Sequence, residues 1–233
     1  MSARVLLPVA ATLGAAGLVS YASVVPTSQL WGRTIAHVPH GNIALTYDDG
    51  PNDGTTQELL QILAEANVHA TFFLIGRYVR QFPALVREIA AAGHTLGNHT
   101  DTHPNLFWAR PAQLREELTR CQHAIEDATG KSAKFFRPPF GIRRPDTLYV
   151  AQELGLTPVL WNVTCYDWRA SITAQQVLAH ARRQMQRNER RHRGSILLLH
   201  DGGHLSLGAD RKASLESTRQ LLQQYSRESF ITV

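Results

Sequence analysis

The chain has 233 residues, of which 43% are hydrophobic, and a formal net charge of +5, so it is long enough to bury one sizeable core. Its two cysteines exclude a scaffold held by several disulfides. Much of the positive charge lies in arginines between positions 182 and 193, where no aromatic or glycine pattern accompanies it. This favours a solvated helix face and argues against a nucleic-acid partner.

The first element in chain order is an apolar run. Residues 5–25 contain no charged side chain, and a run of this length can cross a bilayer of about 30 Å. We therefore predict a hydrophobic helix that anchors the protein in a membrane within residues 1–26, and a stalk or lead-in over residues 27–41. Small residues at positions 20 and 22 leave a cleaved signal peptide open as the alternative. Either interpretation predicts an extracytoplasmic protein, anchored in the first case and secreted in the second.

From residue 42 to residue 233 the sequence reads as one domain, in which short apolar runs alternate with segments of helical period. The predicted strands are 43–47, 70–75, 94–97, 134–137, 158–163, 195–199 and 230–233. The predicted helices are 55–66, 82–92, 111–128, 145–154, 173–189 and 211–225. Thr55 and Glu58 predict a capping box at the first helix, and Gly130 predicts the end of the third. The alternation predicts an α/β fold with a parallel sheet, either a barrel or an open doubly wound sheet.

The cysteines and most histidines are interpreted as structural. Cys121 is in register with the apolar residues of the third predicted helix and is predicted to pack in the core. A bridge between Cys121 and Cys165 is left open by their spacing. Eight histidines lack a chemical context and are interpreted as surface or core residues, namely His37, His40, His69, His94, His123, His180, His192 and His204.

Polar side chains follow five of the predicted strands at the point where each strand ends. In parallel α/β folds, chemistry collects where loops leave the carboxyl ends of the strands, so these side chains are predicted to converge on one rim. They are Asp48 and Asp49 after the first strand, His99 and His103 after the third, Arg137 after the fourth, Asp167 and Trp168 after the fifth, and His200 after the sixth.

The residue types on this rim indicate a metal-dependent hydrolase. Asp48 and Asp49 are adjacent carboxylates that repel each other unless a cation or a proton separates their charges, although a polar turn is the alternative for the pair alone. His99 and His103 are four residues apart, which on a helical turn places both imidazoles on one face. Two imidazoles and one carboxylate form the ligand set of a catalytic zinc site. The second aspartate is then available as a base, and His200 as a proton donor for the leaving group.

Five ordered motifs extend this hypothesis. They are Thr46-Tyr47-Asp48-Asp49-Gly50-Pro51, His99-Thr100-Asp101-Thr102-His103, Arg137-Pro138-Pro139-Phe140-Gly141, Asp167-Trp168 and Leu198-Leu199-His200. These motifs resemble those of the polysaccharide deacetylases, carbohydrate esterase family 4 with the NodB-homology domain, and the resemblance runs from Asn42 to the C terminus. It implies a distorted (β/α)7 barrel, here preceded by the N-terminal hydrophobic helix, and metal-dependent hydrolysis of an N-acetyl group on a sugar polymer.

The resemblance also implies which residues bind the metal and which residue activates the attacking water. Asp49, His99 and His103 would bind the metal, which is usually zinc in this family. Asp48 would be the general base, and Arg137 would pair with it and keep it ionised. Hydrolysis would need no other cofactor.

For the substrate side of the site, the resemblance implies roles for five further residues. The backbone N–H near Phe140 would help to stabilise the oxyanion. His200 would protonate the departing amine, with Asp167 supporting its charged form. Trp168 and Leu198 would form the small apolar pocket for the acetyl methyl group. An additional acidic residue that often precedes the Asp167 position in the family is missing here.

The leading hypothesis is therefore an exported deacetylase that acts on peptidoglycan, chitin-like chains or another acetylated glycan, with membrane contact through its N-terminal segment. Two alternatives are a hydrolase of a small amide or ester on the same barrel, and a catalytically idle glycan-binding module. Binding alone does not need both Asp48 and His200, which argues against the idle module. The sequence leaves the oligomeric state open.

Overall fold

The computed structural model describes residue 14 and residues 16–233 of the chain. The predicted membrane anchor falls mostly on residues outside this part, and residues 16–24 are helical. No helix within the described residues is long and apolar enough to span a bilayer. Residues 27–41, which we call the lead-in, pack against the domain: Ile35 pairs with Val159, and Val38 is buried in a hydrophobic cluster.

One parallel sheet of seven strands organises the domain. The strands are β1 (Ile43–Gly50), β2 (Thr71–Leu74), β3 (Thr95–Asn98), β4 (Phe135–Phe136), β5 (Thr157–Pro158), β6 (Val163–Thr164) and β7 (Ser195–His200). Their order in the sheet is β5-β4-β3-β2-β1-β7-β6, and the sheet curls into a half-barrel. The predicted α/β class and distorted (β/α)7 barrel are confirmed.

The central strand β1 is buried along its whole length, because sheet neighbours and helices cover both of its faces. Its side chains alternate between the two faces with the period of two that strands impose. Leu45 and Tyr47 belong to the large core between the sheet and the helices. Ala44 belongs to a second core on the concave side of the sheet, and this alternation sends Asp48 to the concave side as well.

Within the described domain, six helices lie between strands and a seventh follows β7. They are α1 (Thr55–Glu65), α2 (Gly76–Gln81), α3 (Pro83–Ala91), α4 (Pro111–Thr129), α5 (Pro145–Glu153), α6 (Ala174–Glu189) and α7 (Lys212–Gln224). Cys121 is buried in the apolar face of α4, as predicted. Cys121 and Cys165 are both buried and free, so they do not form the disulfide that their spacing left open.

The predicted strand over 158–163 is wrong, because this stretch contains two separate strands, β5 and β6. Between them, the carbonyl groups of Val159 and Leu160 accept hydrogen bonds from the Arg137 side chain, at 3.3 Å and 3.2 Å. These carbonyls therefore face a buried cation, and the strand is interrupted where they turn toward it.

Three other boundary predictions need correction. The capping box at Thr55 is absent, since Gly54 at φ 79° occupies the N-cap and Thr55 is already helical; glycine adopts this φ without strain. Helix α2 precedes the helix predicted over 82–92. Residues 230–233 are not a strand, because β2 and β7 occupy most of both edges of β1 and leave only an isolated bridge for Phe230. Gly130 ends α4 in the left-handed conformation, as predicted.

Candidate functional site

A backbone irregularity at the end of β1 separates the two adjacent aspartates. The register with β2 shifts between Asp48 and Gly50, and Asp49 adopts a left-handed conformation at φ 70°. The Asp48 side chain points to the concave side of the sheet, as the alternation along the strand requires. The Asp49 side chain no longer follows this alternation. Both carboxylates are only 3% exposed. Burying two neighbouring carboxylates costs free energy unless each has its own partners.

Asp49 meets the two motif histidines. Its Oδ1 atom lies 3.5 Å from His99 Nε2 and 3.3 Å from His103 Nε2, and one possible ligand atom from each of the three residues lies within 4.8 Å of the others. Among the described residues, the buried Asp49 Oδ1 has no hydrogen-bond partner. A buried carboxylate oxygen without a donor is costly, and a cation between it and the two imidazoles would remove this cost. The three residues therefore fit a metal ion.

The two imidazoles come together without a helix, contrary to the helical turn that their spacing suggested. Thr100 and His103 adopt left-handed conformations at φ 67° and 61°, so residues 99–103 form an irregular turn. Side chains hold this turn: Asn98 Oδ1 accepts from the Thr100 N–H at 2.9 Å, and Thr100 Oγ1 accepts from the His103 N–H at 3.0 Å. Glu117 on α4 accepts from the backbone N–H groups in the middle of the turn.

The protonation states of this cluster suit a metal. His99 Nδ1 lies 2.7 Å from the Arg137 carbonyl oxygen, which can only accept, so Nδ1 donates and Nε2, which faces Asp49, is the nitrogen available to a metal. Burial, followed by the neighbouring His99, lowers the pKa of His103 to about 3. Burial alone would raise the pKa of Asp49, but His204 and His99 hold it well below its usual range. A divalent cation requires an ionised carboxylate and a neutral imidazole as ligands, and these shifts favour those states in Asp49 and His103.

Asp48 is held by a buried arginine. Arg137 Nη1 donates to Asp48 Oδ1 at 2.8 Å and to Thr46 Oγ1 at 2.6 Å. The Arg137 side chain is fully buried, and its guanidinium lies over the Phe73 ring at 4.1 Å from the ring centroid. Burial lowers the pKa of Arg137, whereas the charge of Asp48 opposes this effect. The opposite charges of Arg137 and Asp48 thus compensate each other in the buried site. The other carboxylate oxygen of Asp48, Oδ2, faces His99 and lies 3.7 Å from His99 Nε2.

His200, at the end of β7, is bound to Asp167. His200 Nδ1 lies 2.9 Å from Asp167 Oδ1, and the His200 backbone N–H donates to Asp167 Oδ2 at 2.7 Å. Burial alone would lower the pKa of His200, but the Asp167 carboxylate outweighs it and the pKa rises to about 9. Because Nδ1 is engaged by Asp167, Nε2 is the nitrogen left to act on a substrate.

Ser214, on α7, was not found by sequence reasoning. Its hydroxyl donates to Asp167 Oδ2, so Asp167 is held from a second element of the fold. A serine in an amphipathic helix carries no sequence signal of such a contact, because the contact spans 47 positions. Ser214 therefore gives Asp167 a polar partner in addition to His200.

His204 corrects the interpretation of eight histidines as structural. Its ring stacks on His103 with centroids 4.4 Å apart, and its Nδ1 atom lies 3.6 Å from Asp49 Oδ2. The available signal was its position four residues after His200 in a glycine-containing loop, the same spacing as in the other histidine pair. His204 thus belongs to the wall of the site.

These groups line one cavity of about 600 Å³. Asp48, Asp49, His99, His103 and His200 form its polar side, and the apolar side consists of Phe140, Trp161, Tyr166, Trp168 and Leu198. The Trp168 ring lies 5.1 Å from the His200 ring. The predicted site residues are therefore brought together: eight of the ten line the cavity, while Arg137 and Asp167 lie behind it and bind Asp48 and His200.

Comparisons with known proteins agree with this geometry. Residues 36–159 match the sequence profile of a family described as polysaccharide deacetylase. A chitooligosaccharide deacetylase of a Bradyrhizobium strain is 38% identical over 165 residues, covering 69% of this chain and 71% of the relative. A peptidoglycan-N-acetylglucosamine deacetylase of Bacillus cereus is 35% identical, covering 72% of this chain and 59% of the relative. A solved structure of a peptidoglycan N-acetylglucosamine deacetylase has a TM-score of 0.76 and 28% identity, covering 86% and 90% of the two chains.

Proposed function

Because this chain belongs to the polysaccharide deacetylase family, we propose that it hydrolyses the N-acetyl group of N-acetylglucosamine units in a glycan chain. The curated relatives named above support this substrate class, since chitooligosaccharides and peptidoglycan share this sugar. The observation that carries the proposal is a single cavity that combines an Asp-His-His cluster, an arginine-held carboxylate and an aspartate-held histidine. Together they offer a cation site, a base and an acid.

We propose zinc as the cation held by Asp49, His99 and His103, because two imidazoles and one carboxylate suit this ion and leave further positions open. When bound, zinc supplies Lewis-acid polarisation of water and of the amide carbonyl. The buried Asp49 Oδ1, which lacks a donor in the described part of the chain, supports the assignment.

Asp48 is proposed as the general base. Its Oδ1 is occupied by Arg137, so Oδ2 is the atom that takes a proton from the attacking water. The charge-assisted hydrogen bond from Arg137 orients the Asp48 carboxylate. His200 is proposed as the general acid: with a pKa raised to about 9 it is protonated at neutral pH, and Nε2 delivers its proton to the leaving amine nitrogen.

The apolar side of the cavity is proposed to receive the acetyl methyl group. Trp168 and Leu198 line it next to His200, and their apolar surface suits a methyl group. The backbone at Phe140 is proposed to donate to the developing oxyanion. Phe140 is held at φ 58°, beside His103 at a centroid distance of 4.7 Å.

Acetate release tests the proposal. The purified full chain, loaded with zinc, is assayed on chitooligosaccharides, peptidoglycan and acetylated xylan. We expect acetate from the first two substrates and little from the third, which carries esters. Release only from xylan or from small amides and esters would favour a different hydrolase, and zinc and glycan binding without acetate would favour an idle module.

The pH profile of turnover reports on His200. Because the protonated imidazole is the active form, His200 should not limit turnover below its pKa of about 9, and turnover should fall above it. In Asp167→Asn the main cause of the raised pKa is removed and burial prevails, so the alkaline limb should move down by about one unit or more. Asp210→Asn is the matched control, because it makes the same change at an exposed aspartate. An alkaline limb that stays in place in Asp167→Asn would contradict the acid role of His200.

Ser214 should affect turnover through Asp167. In Ser214→Ala the carboxylate loses one donor and orients His200 less firmly, so kcat should fall about tenfold with KM unchanged. Ser214→Thr keeps the hydroxyl and should restore turnover. Ser217→Ala is the control, because Ser217 is equally buried on α7 but donates to the Ser214 carbonyl. An equal loss in both alanine variants would assign Ser214 a structural role only.

We further propose that the protein is extracytoplasmic and attached to a membrane through residues 1–26. The uncharged run over residues 5–25 supports this location. Intact-mass measurement of the mature protein distinguishes the two forms, since a retained N terminus indicates an anchor and its loss indicates a cleaved signal.

A further inference from the structure

A second large cavity, of about 650 Å³, lies between the lead-in and the end of α6. Four arginines line it: Arg33 from the lead-in, Arg187 from the last turn of α6, and Arg191 and Arg193 from the loop that follows. We call this cavity the arginine groove. It shares no lining residue with the cavity that contains Asp49 and His200, which we call the catalytic cavity.

The positive charge of the arginine groove is not compensated within the described chain. No acidic residue lines the groove, and none of its four arginines forms an ion pair with a described carboxylate. Glu189, in the same segment, is instead 2.7 Å from His40 Nε2. Arg187 lies in the last turn of α6, where a positive charge interacts favourably with the helix dipole. This dipole does not explain Arg33, which comes from a different segment. Four guanidinium groups around one cavity repel each other, so the groove favours an anion.

The chemistry of the groove favours phosphate over a sugar chain or a nucleic acid. Guanidinium groups bind phosphate oxygens in pairs of parallel hydrogen bonds. Sugars and bases commonly stack on aromatic rings, yet no aromatic ring other than His37 lines this groove. The catalytic cavity, in contrast, contains Phe140 and three further aromatic side chains, Trp161, Tyr166 and Trp168.

The groove is also close in sequence to the apolar run. Its wall begins at Thr27, two residues after the last residue of the uncharged stretch 5–25. An anchor in that stretch therefore brings the groove to the lipid headgroups. We propose that the arginine groove binds the phosphate groups of anionic phospholipids and so holds the catalytic domain against the membrane surface. This inference rests on the proposed membrane attachment and is independent of the proposed deacetylation.

The test compares full-length protein in two kinds of vesicle, one of phosphatidylcholine and one that also contains phosphatidylglycerol. Hydrogen–deuterium exchange is measured for residues 27–37 and 184–194. We expect protection of both segments in the anionic vesicles only, with loss of protection at high salt. In the variant Arg187→Glu/Arg191→Glu/Arg193→Glu the protection should disappear, because each arginine near a charged surface contributes about a fivefold preference for it.

The side chains of Arg187, Arg191 and Arg193 donate no hydrogen bond to another described residue, so the variant in which their charge is reversed is expected to fold. Acetate release from soluble chitooligosaccharides should be unchanged in it, which separates a failure of membrane docking from a failure of the proposed deacetylase activity. The charge-matched control is Arg87→Glu/Lys131→Glu/Lys134→Glu, in another basic depression of the surface. It should keep the protection of residues 27–37 and 184–194.

Three results would overturn the inference. The first is equal exchange in neutral and anionic vesicles. The second is loss of protection in the control variant as much as in the groove variant, which would indicate net charge alone. The third is that added inorganic phosphate protects both segments in neutral vesicles as fully as anionic vesicles do. This result would assign the groove to a soluble phosphate.

Discussion

Replacing His99 by alanine is expected to remove the metal and the activity together. Only Asp49 and His103 would remain from the three-residue cluster, and an open two-ligand site holds a divalent cation poorly. The loss of Lewis-acid stabilisation is worth several kcal/mol, so acetate release should fall about a thousandfold or more. Zinc content after dialysis, measured by mass spectrometry, and acetate release at fixed zinc concentration check the two parts of this prediction.

The control for His99 is His123→Ala, because His123 is an exposed histidine on α4. It should retain zinc and turnover. His99 also binds the Arg137 carbonyl, so its removal can loosen the fold, and His103→Ala provides a second variant. His103 Nδ1 has no hydrogen-bond partner among the described residues, so its truncation leaves no backbone group without a partner. An active, metal-free form of either variant would refute the assignment of ligands.

Asp48→Asn should keep the metal and lose the turnover. The amide keeps the shape of the carboxylate, and its oxygen still accepts from Arg137, but it cannot take a proton from water. A general base contributes at least about a hundredfold, so kcat should fall by this factor or more. Zinc content should be unchanged, since Asp48 is not part of the three-residue ligand cluster. The combination of normal zinc with low kcat distinguishes this variant from His99→Ala.

Asp48→Asn also leaves the buried Arg137 charge without its carboxylate, so the melting temperature should fall. Comparing kcat at a temperature where both proteins are folded removes this effect. Asp53→Asn is the matched control, because Asp53 is exposed in the loop after β1 and should tolerate the change. Unchanged kcat in folded Asp48→Asn would remove this residue as the base.

The order of elements and the identity of the main site residues were predictable from local patterns. Alternating apolar runs and helical periods predicted a parallel sheet, and parallel strands place their carboxyl ends at one edge. Asp48, His99 and His200 follow three such strands, so their convergence required no knowledge of the loops. Element boundaries were predicted less well: the stretch between Pro158 and Val163 is interrupted by the buried side chain of Arg137, which lies far away in sequence.

Residue type and strand periodicity were enough to predict which chemical groups this protein can use and at which edge of the sheet they lie. Which aspartate faces the histidines depends instead on the three-dimensional structure, because the irregular backbone at Asp49 turns its side chain toward them. The three-dimensional structure also placed Ser214 behind Asp167 and His204 against His103. Contacts of this kind arise from packing between distant segments, and no local periodicity encodes them.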